Sequence, residues 1–223
     1  MCLNLLGRLG MVLVLVGSSA SMSAGENTLI SAIKQSDAAQ VRRLVQQHAD
    51  VNASDLDGTT ALHWAVQRDQ VDVVSLLLSK GANAKALNRY GISPLLVACE
   101  IGNVDIIDRL LRAGADANST TPAGETALMI AARTGKVPAV KRLMAAGADI
   151  NAVETVRGQT ALMWAAAEDN LEVTSTLLEG GANIDARSPA GFTALHFAVR
   201  SGNSGVVKAL VERGAKVRSE SHV

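Results

Sequence analysis

The 223-residue chain has very few aromatic side chains, two Trp, one Tyr and two Phe, or 2% of the total. Hydrophobic residues nevertheless make up 48%, so the core has to be built from Leu, Val, Ile and Ala. Such small aliphatic groups suit closely packed helices in short repeats better than a bulky sandwich core. Net charge is lacking as well, with 21 basic residues against 21 acidic. No single-sign field therefore argues for nucleic acid or an anionic membrane as partner. Of the two cysteines, Cys2 lies at the very start and Cys99 stands alone in the rest, which excludes a disulfide scaffold. Cys99 reads as a small buried hydrophobe. There is no His-Glu-x-x-His, Cys-x-x-Cys, Gly-x-Ser-x-Gly or phosphate-cradling glycine loop, so no enzyme, cofactor or metal site is expected.

The longest apolar run, Leu9 to Val16, is too short to cross a bilayer comfortably as a helix. Arg8 precedes it and small residues from Gly17 to Ala24 follow. That order is the one found in a secretory signal peptide, here residues 1–24, with cleavage after Ala20 or after Ala24. An uncleaved signal anchor is the alternative. A periplasmic or secreted product is expected.

Aligning the chain with itself exposes a period of 33 residues: Leu29, Leu62, Leu95 and Leu128, then Leu162 after 34 and Leu195 after 33 again. Three residues after each leucine comes an alanine, from Ala32 to Ala198, and four before each comes a glycine, from Gly25 to Gly191. Two before each stands a capping type: Asn27, Thr60, Ser93, Thr126, Thr160 or Thr193. A Ser or Thr oxygen there accepts an orphan N–H and starts a helix, and Leu and Ala three apart share one helix face. A break at Ser36, Asp69, Gly102, Gly135, Asp169 or Gly202 separates this helix from a second, and it calls for a left-handed residue. The second helix carries apolar pairs such as Leu77-Leu78 and Leu110-Leu111, and it stops at His48, Gly81, Gly114, Gly147, Gly181 or Gly214. Each unit is turn, helix, tight turn, helix.

The runs Thr60-Ala61-Leu62-His63-Trp64-Ala65 and Thr193-Ala194-Leu195-His196-Phe197-Ala198 resemble the ankyrin signature, as do Gly114-Ala115-Asp116-Ala117-Asn118 and Gly147-Ala148-Asp149-Ile150-Asn151. The resemblance implies an all-α solenoid of six helix-turn-helix units joined by β-hairpin-like turns. The units expected are an N-terminal cap 25–57, internal repeats 58–90, 91–123, 124–157 and 158–190, a C-terminal repeat 191–218 and a tail 219–223. The first is rich in polar residues from Lys34 to Gln47, as a water-facing cap requires. The last keeps the internal pattern at Val206, Val207, Leu210 and Val211, so its outer face awaits either the tail or a partner. One extra residue lengthens the segment Val153 to Arg157.

Proteins of this family bind other proteins, and their turn tips and first helices line a concave face. Carried onto this chain, that implies a non-catalytic binding module, with an accessory or protective subunit of an exported enzyme as the alternative. The expected partner is another protein, with no nucleic acid and no membrane beyond the signal peptide, and the chain itself is expected to be a monomer. The tip residues proposed to touch the partner are Arg89, Tyr90, Ile92, Glu125, Val156, Arg157, Gln159 and Phe192, with Arg68, Arg133 and Arg200 on the first helices. Exposed apolar residues beside arginines fit the make-up of interface hot spots, although each ring could instead pack on the adjacent tip. His63 and His196 share one repeat position and are expected to hydrogen-bond neighbouring turns. Trp64 and Trp164 stand where Val97, Ile130 and Phe197 stand and are read as mainly core.

Overall fold

The computed structural model describes residues 28–217. The expected signal segment 1–24 and the tail lie outside them. Among the described residues there are twelve α-helices and no strands. The first helix of each unit is α1 (Leu29–Lys34), α3 (Ala61–Gln67), α5 (Pro94–Ile101), α7 (Ala127–Arg133), α9 (Ala161–Ala167) and α11 (Ala194–Ser201). The second helices are α2 (Ala38–Gln46), α4 (Val71–Ser79), α6 (Val104–Arg112), α8 (Val137–Ala145), α10 (Leu171–Glu179) and α12 (Ser204–Glu212). Odd helices pack on odd and even on even, so the chain forms two layers, an inner and an outer row.

The inner helices begin as their sequence dictates. Hydroxyls of Thr60, Ser93, Thr126 and Thr160 each accept from the backbone N–H three residues on, and Pro94 occupies a first-turn position where no N–H is missed. The first unit departs from expectation. Its cap is Thr28, which accepts from the Ser31 N–H at 3.1 Å, one residue later than the expected Asn27, which lies outside the described residues. All six inter-helix breaks are left-handed, including the non-glycine Ser36, Asp69 and Asp169, and His48 takes the same conformation at the end of α2.

Between units the core is leucine and alanine. The repeated Leu62, Leu95, Leu128 and Leu162 and the repeated alanines from Ala65 to Ala165 have almost no exposure, and the absent alanine side-chain bulk lets neighbouring inner helices approach. Side-chain staples add register. Asn52, Asn118 and Asn151 each donate to the carbonyl of the next unit's helix-ending glycine and accept from the N–H two residues beyond it. Asn170 and Asn203, which precede α10 and α12, reach back to carbonyls at the end of the preceding unit's inner helix, α7 and α9 respectively. Because each unit bonds only its neighbours, stability accrues unit by unit.

The two ends differ. Arg42, Arg43 and Gln46 on α2 and its C-cap Gln47 are exposed. In α11, Val199 is 61% exposed, while its equivalents Val66, Cys99, Ala132 and Ala166 are fully buried.

Candidate functional site

Five tips project from the stack, each turned by a glycine with positive φ: Gly58, Gly91, Gly124, Gly158 and Gly191. Across each base one N–H meets one carbonyl: Asp55 to Thr59, Asn88 to Ile92, Thr121 to Glu125, Glu154 to Gln159 and Ser188 to Phe192. The tips also bind one another. The Arg89 N–H donates to the Asp57 carbonyl at 2.7 Å, and its guanidinium donates to the Leu56 carbonyl at 2.7 Å. Further along, the Thr155 N–H and hydroxyl both donate to the Ala123 carbonyl. At the other two tip junctions the rings of Pro122 and Pro189 sit where a side chain on Gly91 or Gly158 would have to go. The tips thus form a continuous comb of preset spacing.

The lengthened tip has its own device. Glu154 is 4% exposed and aligns with Asp55, Asn88, Thr121 and Ser188. Its longer side chain curls under the extra residue and accepts from the N–H groups of Val156 (2.6 Å), Arg157 (2.8 Å) and Gln159 (3.1 Å). A carboxylate with three donors rigidifies what would otherwise be a floppy insertion.

Of the residues proposed from the sequence, Arg68, Arg89, Tyr90, Val156, Arg157, Phe192 and Arg200 are exposed, while Ile92, Gln159 and Arg133 are half-buried. Glu125 differs from the exposed tip residue expected: it is 9% exposed, because its position turns the side chain inward over the inner helices. Arg89 is exposed but already employed in tying two tips. Phe192 packs edge-on against His196 and Phe197, with centroids 5.8 and 6.1 Å apart. Leu56, at 99% the most exposed large apolar side chain described, heads the same row, and the repeat register places it on the first tip, two residues before Gly58. Leu87 and Val153, at equivalent places on the tip arms, are exposed too.

The floor of the groove between tips and inner helices is aromatic at three places, each beneath a cation. Lys34 Nζ lies 4.1 Å from the Trp64 ring centroid, Arg133 lies 5.2 Å from Trp164, and Arg200 lies 4.9 Å from Phe197. Both tryptophans are half-buried; Trp64 packs against the core, and Ile130 and Phe197 at the same repeat position lie within it. Trp64 Nε1 donates to Asp55 at 2.8 Å, and Asp55 also accepts Lys34 at 2.8 Å. Trp164 Nε1 is buried and has no acceptor. Arg133 bridges to Glu100 of the preceding unit at 2.6 Å.

Burial sets the titration of three groups. It holds His63 below its ordinary value against the opposing pull of the Ile92 carbonyl and of Asp57. His63 Nε2 lies 2.9 Å from that carbonyl, which can only accept, so Nε2 carries the proton and Nδ1 accepts from the Thr60 N–H. Among the described residues His196 hydrogen-bonds only to its own cap, Thr193, and not to a neighbouring turn as expected. Burial pushes Glu125 up, helped by Glu154 and Glu100 and opposed by Arg133 and Arg157. Burial, aided by Glu100, likewise pushes the Cys99 thiol up. For Asp57, burial is outweighed by the Thr59 N–H and hydroxyl, its own N–H and Arg89, and the carboxyl sits below its usual range.

Among the described residues no three His, Cys, Asp or Glu side chains come together as metal ligands, and no helix is long and apolar enough to cross a membrane. A depression of about 330 Å³ lined by Leu178, Glu179, Ala182, Ile184 and Arg213 lies on the outer-helix side, away from the groove. A stack of helix pairs bearing a rigid comb over a groove defines a class of protein, the solenoid scaffold that presents a surface. The family described as ankyrin repeats, in three-copy form, matches residues 2–88, 80–154 and 138–221, and the chain belongs to it. Among solved structures, the crystal structure of the ankyrin repeat domain of Bcl-3, a member of the IkappaB family, is 32% identical, with 87% of this chain and 89% of that chain covered and a TM-score of 0.76. None of the curated proteins matches. The ankyrin repeat is a protein-interaction scaffold and is generally non-catalytic.

Proposed function

We propose that the chain is an exported, monomeric binding module that holds another protein against its tips and groove. The observation that carries this is the row of exposed apolar tip residues, Leu56, Tyr90, Val156 and Phe192, set on a comb that the tips themselves lock. Preset spacing lowers the ordering cost of binding, and large apolar groups beside arginines supply the anchors. Tyr90, Val156 and Arg157 have no side-chain hydrogen bond or ion pair to lose among the described residues. They are therefore the residues free to serve a partner, whereas Arg89 is tied to the neighbouring tip.

Replacing Tyr90, Val156 and Arg157 together by alanine is expected to abolish capture of the partner from a native extract and to leave Tm within about 2 °C, as exposed substitutions do. Retention of capture would place the interface elsewhere. Export is tested separately by fractionating cells that express the full chain and reading the mature N-terminus, which is expected after Ala20 or Ala24.

A further inference from the structure

The row of side chains that turn from the tips toward the inner helices runs Thr59, Ile92, Glu125, Gln159, Phe192, and only Glu125 is charged. Phe192 shows where this position leads, since its ring meets His196 and Phe197 of the inner helix below. Glu125 is 91% buried. Among the described residues its carboxylate accepts no hydrogen bond, although its backbone is paired with Thr121. Of the two cations that act on it among the described residues, Arg133 is engaged, while Arg157 makes no ion pair with it. Arg133 donates to Glu100 at 2.6 Å and lies over Trp164, and the carboxylate of Glu154 is spent on its own tip. Glu100, Glu125 and Glu154 against Arg133 and Arg157, the charges that act on Glu125, leave the locality with one excess negative charge.

The Glu125 oxygens are not sealed from solvent, so a carboxylate with no protein donor and an excess of negative charge around it is open to a cation that enters the groove. From this placement we infer that Glu125 receives a basic side chain, the guanidinium or ammonium of an arginine or lysine, from the protein held in the groove. This rests on the groove reading above and adds the chemistry of the partner. Half-buried Ile92 in the same row and Trp164 on the inner helix offer apolar surface to the stem of such a side chain. The excess negative charge disfavours an acidic residue at the same place.

The test uses the full chain with N-acetyl-argininamide and N-acetyl-lysinamide as probes and N-acetyl-norleucinamide and acetate as controls, followed by two-dimensional NMR. Saturable shifts of the Glu125 amide and the Trp164 indole N–H are expected with one or both basic probes. They should weaken as salt is raised and weaken at least tenfold in Glu125→Gln. Glu125→Thr, which copies Thr59, serves as a second variant should the first fold poorly. No response to either basic probe, an equal response to norleucinamide, a response to acetate alone, or survival of the shifts in both variants would each overturn the inference. The triple tip variant reports on the groove reading independently: if capture depends on the tips while Glu125 is inert, only this inference falls.

Discussion

Trp64 and Trp164 occupy the same place in the second and fifth units, both half-buried and both under a cation. Their polar ends fare differently. The indole N–H of Trp64 meets Asp55, which at the same time anchors Lys34, so charge and aromatic surface from two units close into one bonded cluster. The aligned acid that faces the fifth unit is Glu154, at the end of the fourth, and its carboxylate has been drawn into the lengthened tip. Trp164 is left with a buried N–H and no acceptor. One carboxylate cannot serve both ends, and the fifth unit has put rigidity of the tip ahead of satisfaction of the ring. The difference teaches that the units are alike in core and unlike at the groove, where a function can be placed.

The largest effect should come from breaking the fifth unit's arrangement. Glu154→Ala strips three part-buried N–H groups of their carboxylate acceptor and is expected to cost about 2–3 kcal/mol, read as a lower denaturant midpoint, with faster hydrogen exchange confined to the amides of Val156, Arg157 and Gln159. Exchange that rises evenly along the chain would contradict a local role. Asp55→Ala makes the second unit resemble the fifth. It removes a bond to Trp64 and one to Lys34 that are partly open to water, so about 1–2 kcal/mol is expected. Trp→Phe then separates the two sites by sign: Trp64→Phe should destabilise by about 1 kcal/mol, whereas Trp164→Phe, which deletes an unpaired donor, should be neutral or stabilise by up to about 1 kcal/mol. Equal losses at both positions would show the two rings to be held alike.

The smallest effect is in pH. His63 titrates below its ordinary value of 6.5 when folded, so as pH falls below 6.5 the unfolded chain takes up the proton first and gains stability relative to the fold. His63 therefore contributes in full above pH 6.5, and its contribution declines beneath that value. Melting between pH 7.5 and pH 5 should show this slope, and His63→Gln should flatten it.

Much of the fold was legible because the repeat states it six times. The leucine–alanine register, the hydroxyl caps and the left-handed positions, even where Ser36, Asp69 or Asp169 replaces glycine, follow from spacing and local stereochemistry. The groove was less legible. Tyr90, Val156 and Arg157 were read as exposed tips and are, but Glu125 sits in the same kind of tip and is buried. Which arm of a turn faces the groove depends on the helix beneath it. Arg89 looked like a free anchor until its guanidinium was found on the Leu56 carbonyl of the preceding tip. Glu154 gave no sign of its role, since the extra residue was visible but not which side chain would bridge it.

By itself the sequence determined the period, the pairing of helices and the residues that must be inside, because each of these depends on contacts that recur at fixed separations along the chain. Only the tertiary structure decided how the groove is wired: which carboxylate binds a ring and which binds a tip, which arginine is spent and which is free. Those outcomes are set by distances between neighbouring units, where a difference of one methylene between Asp55 and Glu154, or one added residue in a turn, redirects a hydrogen bond without disturbing the core that spaces the units.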